Sequence, residues 1–94
     1  LPNTRIGNVI NNQLLRCGTS VGANYRAACR ARSVAEFIAK MGIVEEECNE
    51  SIYWMELIIA AELLPDERLK DLMTEADEIL AITVSSIKTA RKKA

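Results

Sequence analysis

The chain has 94 residues, of which 49% are hydrophobic but only 4% aromatic, with a formal net charge of −1. One small domain over residues 1–94 follows, with an aliphatic, alanine-rich core that suits packed helices better than sheets. A near-neutral charge gives no overall pull towards nucleic acid or an anionic surface. No apolar run reaches bilayer length and no signal peptide is present, so a soluble cytoplasmic protein without a membrane partner is expected.

The charge is unevenly spread. Residues 1–35 hold five arginines and no acid, residues 36–62 seven glutamates and one lysine, and residues 63–94 six of each sign.

After a loop over Leu1–Thr4, with Asn3 or Thr4 as N-cap, the periodicity predicts a first helix over 5–31. Ile10, Leu14, Cys17, Val21, Asn24, Ala28 and Ala31 step by threes and fours down its core side. At about 100° per residue, Arg5, Arg16, Arg26 and Arg30 fall in an arc of about 80° on nearly the opposite side. Between them runs a strip of Gly18, Gly22, Tyr25 and Cys29, small enough for another backbone to approach. Each glycine costs about 1 kcal/mol in a helix interior, so Gly18 and Gly22 are expected to lie against another helix. Asn24, inside the apolar stripe, is expected to be a satisfied amide that fixes register between helices. A ligand-binding amide is the sharper alternative.

Ser33-x-x-Glu36 is a capping box and starts a second helix over 34–63. Its core stripe is Val34, Phe37, Ile38, Met41, Val44, Cys48, Ile52, Met55 and Ile59. Past Glu50 a second apolar strip, Trp54, Leu57 and Ala61, lies in line with Ile43. A helix apolar on both sides is covered on both sides, which calls for a further helix or another subunit. Leu64-Pro65-Asp66-Glu67 closes this helix and opens a third over 66–92. Leu69, Leu72, Met73, Ala76, Ile79, Leu80, Thr83, Val84 and Ile87 form its expected buried side, and Arg91-Lys92-Lys93 ends it.

Chemistry finds little to use. Histidine is absent, and with it the Glu-x-x-His ligands of carboxylate-bridged bundles. Cys17, Cys29 and Cys48 have no metal-ligand spacing and read as small buried hydrophobes. Glu45-Glu46-Glu47 with Glu50 could suggest a carboxylate metal cluster, but consecutive glutamates point about 100° apart, so at most two share a face and a solvated or ion-paired surface is expected. Gly18–Gly22 lacks the lysine and the strand-to-helix setting of a phosphate loop. The expectation is a non-enzyme without cofactor, metal or small-molecule substrate. The arginine arc is the candidate binding surface. It either contacts phosphates or pairs with Glu36, Glu47 and Glu50 of the second helix.

Gln13-Leu14-Leu15-Arg16, Thr19-Ser20-Val21-x-x-Asn24, and Arg32-Ser33 with Glu36-Phe37-Ile38 resemble the four-helix-bundle proteins of bacteria named for reading frames inside intervening sequences of 23S ribosomal RNA genes. Leu63-Leu64, Glu75-Ala76-Asp77-Glu78 and Ser86-Ile87-Lys88-Thr89 extend the resemblance over essentially the whole chain. It implies an all-α, antiparallel up-and-down four-helix bundle, with three long helices here. The family's usual N-terminal helix, of roughly twenty residues, would precede them. The family is similar to the accessory protein of diversity-generating retroelements, a pentameric barrel that engages nucleic acid with a reverse transcriptase. The resemblance therefore implies a homo-oligomer, a pentamer, acting as an assembly scaffold, with a nucleic-acid-binding accessory role as the alternative. Ala27 stands where an Asn-x-x-Glu pattern is frequent in the family, which leaves this helix more basic.

Overall fold

A computed structural model describes residues 3–64 and 66–93, so the expectations for Leu1–Pro2 and Pro65 lie outside the described residues. Three helices are present, α1 (Arg5–Cys29), α2 (Val34–Ala60) and α3 (Asp66–Lys93), with no strand among the described residues. Together they occupy 46 × 20 × 14 Å. None is long and apolar enough to cross a membrane.

The caps explain where the helices begin. Thr4 Oγ1 accepts the Gly7 N–H at 3.0 Å and so settles the first N-cap. Ser33 Oγ accepts the Glu36 N–H at 3.0 Å. The reciprocal half of the box is displaced by one residue: the Glu36 carboxylate accepts the N–H of Arg32, at 3.1 Å. Two helix ends come earlier than the periodicity implies. α1 stops at Cys29, where Arg30 and Ala31 donate to the carbonyls three residues back, at 3.1 Å each. α2 stops at Ala60 because Glu62 takes a left-handed backbone, φ 55°. Leu63 N–H then reaches Ile58 O and Glu62 N–H reaches Ile59 O, both at 3.0 Å. This paired closure normally uses glycine.

Packing is asymmetric. α2 contacts both neighbours, whereas α1 and α3 share no Cα pair within 8 Å among the described residues. Each outer helix therefore needs only a narrow seam. On α1 it is Gly7, Ile10, Cys17 and Ala28 with half-buried Leu14, Val21 and Asn24; on α3 it is Leu69, Ala76, Thr83 and Ile87 with Met73 and Leu80. Both advance by alternating threes and fours. α2 carries the matching seam of Met41, Val44, Cys48, Ser51, Met55 and Ile58, all buried. Val44 is fully enclosed and Ile58 is 1% exposed. Cys48 donates its thiol to the Ala76 carbonyl at 3.3 Å, tying α2 to α3.

This arrangement corrects three expectations. The second apolar strip on α2 is half-covered within the chain: half-buried Trp54 and Leu57 share a hollow with Ile6, Val9 and Ile10 of α1. Ile43 is half-buried and Ala61 exposed. On α3, Leu72 and Ile79 are exposed, at 52% and 38%, because a helix with one neighbour buries less than a third of its circumference. Cys29 is exposed, while Cys17 and Cys48 are buried as expected.

Candidate functional site

The four arginines of the expected arc have different surroundings. Arg16 is a hub between α1 and α2. Its Nη1 lies 3.1 Å from Glu47 Oε2 and its Nη2 2.8 Å from Glu50 Oε2. Its Nε donates to Gln13 Oε1 at 3.2 Å and its Nη2 to Cys17 Sγ at 3.2 Å. The planar fork thus meets four acceptors at once, a use suited to arginine rather than lysine. Arg5, Arg26 and Arg30 are exposed and form no ion pair among the described residues.

Electrostatics follow from this geometry. The hydrogen bond from Arg16 holds the Glu50 carboxyl below its ordinary value of 4.5, and the same bond raises Arg16. Burial, reinforced by the charge of Glu50, pushes the Cys17 thiol from 9.0 up to about 11. One donor atom each from Cys17, Glu47 and Glu50 lie within 4.8 Å of one another. Those three could ligate a cation, but the Arg16 guanidinium already supplies positive charge there, and a protonated thiol is a poor ligand. Trp54 also helps to depress Glu50, yet its Nε1 is buried outside hydrogen-bonding geometry. The rings of exposed Tyr53 and half-buried Trp54 meet edge to face, with centroids 5.1 Å apart.

Asn24 does not bridge helices. Its Nδ2 donates to Ser20 O at 2.9 Å and to Ser20 Oγ at 3.1 Å, one turn back in α1. The amide is satisfied locally and fixes no interhelical register. Among the described residues Gly18 and Gly22 meet no other helix: a Cβ at either would meet no heavy atom within 4 Å. Gly22 borders instead an open groove of about 410 Å³ between α1 and α3, floored by Met41 and Val44 of α2, whereas Gly18 lies with Leu14 and Leu15 in a separate hollow on α1. Tyr25 of α1 and Ile79 and Ile82 of α3 face it, at 54%, 38% and 64% exposure. Ile82 escaped the sequence reading because it lies off the seam of its own helix.

A second depression, about 680 Å³, lies where the α1–α2 connection meets the C-terminal turns of α3. Arg32, Ser33 and Phe37 line one side, and Ser86, Thr89 and Lys93 the other. Residues so distant in sequence carry no shared signal before the chain folds.

No curated protein matches the chain. Among solved structures, a protein of unknown function from the S23 ribosomal protein family of Bacteroides thetaiotaomicron has a similar fold, with a TM-score of 0.82 at 42% identity. The match covers 85% of this chain and 74% of that one. At the level of families one model fits residues 4–85, nearly the full span of the three helices, and the chain belongs to the 23S rRNA-intervening sequence protein family.

Proposed function

We propose that the chain is a non-enzymatic assembly module: the greater part of an antiparallel, up-and-down four-helix bundle that acts in the cytoplasm as a homo-oligomer, a pentamer. The observation that carries this reading is the groove between α1 and α3. Ile79 and Ile82 stand wet on its α3 wall, opposite exposed Tyr25 and Gly22 of α1, and the glycine leaves room for a backbone. A twenty-residue helix is about 30 Å long. The α1 wall of the groove, from Val21 to Cys29, spans about 12 Å on the same scale, so such a helix covers it. The family resemblance places that helix before Leu1.

On the other flank of α1, Ile6, Val9 and Tyr53 are exposed at 64%, 53% and 56% around Trp54 and Leu57. This second apolar patch suits contact between protomers. Light scattering at micromolar concentration on a chain that includes the preceding helix tests the reading. The expected result is a pentamer mass, reduced by Trp54→Ala or Val9→Asp; a monomer mass would sink it.

A second reading, a nucleic-acid-binding accessory protein, is favoured by the exposure of Arg26 and Arg30 and by their lack of ion pairs among the described residues. A ring repeats them and so strengthens weak phosphate contacts. A mobility-shift titration with RNA and DNA at two salt concentrations tests it, since phosphate binding must weaken as salt rises.

A further inference from the structure

We infer that the end of the molecule where the α1–α2 connection meets the C-terminus of α3 binds the phosphate backbone of duplex nucleic acid. This rests on the second reading above, moves its site away from the arginine arc, and specifies its partner.

The net charge of −1 conceals a strong separation. Residues 24–42 and 82–93, which the fold brings to one end, hold eight Lys or Arg and a single acid, Glu36, for a net +7. All remaining residues together carry −8. Arg26, Arg30 and Arg32 approach from α1 and its connection; Lys88 and the Arg91–Lys93 run come from α3. All are exposed, and none forms an ion pair among the described residues. By contrast, Arg16 is spent on Glu47 and Glu50, and Arg5 lies at the opposite end of α1.

The chemistry of the depression at this end narrows the partner. Its polar lining is rich in donors: the Arg32 guanidinium, the Lys93 ammonium and the hydroxyls of Ser33, Ser86 and Thr89. Phosphate oxygens only accept, and these are the side-chain types that hold nucleic-acid backbones in register. Phe37 is half-buried and forms part of the wall, so the depression itself offers unpaired bases no exposed aromatic platform, exposed Tyr25 lining the groove between α1 and α3 instead. Among the residues lining the depression, Val34, at 38% exposure, is the most exposed large apolar side chain, which is too little to wedge into a lipid layer. At roughly one charge per 1.7 Å, the 20 Å width of the molecule spans about twelve phosphates of a duplex, enough to engage four to six of these cations.

Fluorescence anisotropy of the 94-residue chain with a labelled 20-base-pair duplex of arbitrary sequence tests this, from 50 to 300 mM NaCl. A single strand of equal length and phosphatidylserine vesicles serve as the other probes, and light scattering on each sample reports assembly separately. The expected result is duplex binding whose log K falls against log salt with a slope of about −4 to −5. Replacing Arg91, Lys92 and Lys93 together by alanine should reduce that slope by about 2 to 3 and weaken binding at least tenfold, with mass and helicity unchanged. Lys70→Ala, at the other end of α3, should change neither. Preference for the single strand or the vesicles would overturn the inference, as would a slope indifferent to the triple substitution. If Arg5→Ala and Arg16→Ala lower the slope while the triple variant does not, nucleic-acid binding stands and this site falls. No binding of any probe at 50 mM salt ends both and leaves the assembly reading untouched.

Discussion

Gly22→Ala tests the open groove directly. Gly22 sits in the interior of α1 with an ordinary negative φ, so alanine meets no backbone strain. The added methyl group meets no heavy atom within 4 Å. What remains is the backbone entropy that glycine loses in a helix, worth about 0.5–1 kcal/mol relative to alanine. For a domain of this size, about 1 kcal/mol moves the melting temperature by roughly 4–8 °C. Gly18 has the same empty surroundings, so the double variant should gain about 1–2 kcal/mol. Thermal melts followed at 222 nm, at two protein concentrations, measure this in the 94-residue chain. A lower melting temperature would refute the reasoning, because it requires another backbone already lying on the glycine strip. The same substitutions in a chain that includes the preceding helix should behave oppositely, since methyl groups there overfill a close contact at about 1–3 kcal/mol.

Glu62→Gly should stabilise the chain by about 1 kcal/mol, seen as a higher urea midpoint, because a left-handed residue with a side chain replaces the usual glycine at the end of α2. Ile58→Ala, at 1% exposure the largest fully buried side chain, should cost about 2–5 kcal/mol, and Ile58→Val about 0.5–1.5, by the same assay. Aromatic disulfide reagent should titrate one fast thiol, Cys29, and reach Cys17 and Cys48 only on unfolding. Because the folded Cys17 thiol titrates at about 11 against 9.0 unfolded, its contribution is fully present below pH 9 and lost as the pH rises to about 11; Cys17→Ser should flatten that limb. Glu50 behaves inversely: held below 4.5 by Arg16, it stabilises the fold above that pH and ceases to as acid protonates it, so Arg16→Gln should flatten the acid limb of the stability curve.

Much of the fold was legible because helix starts have chemical signatures and seams have a period. Thr4 and Ser33 sit where their hydroxyls cap, and the alternating threes and fours mark Ile10, Cys17 and Ala28 as a buried line. The end of α2 was not legible, because nothing in Ala61-Glu62-Leu63 marks a left-handed turn when the residue taking it is glutamate. Nor does periodicity state how many neighbours a helix has. α2 is apolar on two sides because α1 and α3 flank it without touching, and that same fact leaves Leu72, Ile79 and Ile82 outside the core.

The arginine arc shows a different limit. A helical projection discards position along the axis, so it groups Arg5 with Arg26, which a helix of ordinary rise holds about 31 Å apart. It also cannot show that the end of α3 returns to the start of α2, and this return gathers the positive charge. In the proposed pentamer, cyclic symmetry orients every protomer the same way, and an odd ring cannot alternate its poles. One face would then carry five basic ends and the other five acidic ones. Such repulsion is screened only beyond about 8 Å at physiological salt, so neighbouring ends feel one another. An assembly held by apolar patches around Trp54 tolerates that cost, and a polyanion lying across the basic face removes it. Assembly and phosphate binding would therefore favour one another, through charge that the sum over the sequence conceals.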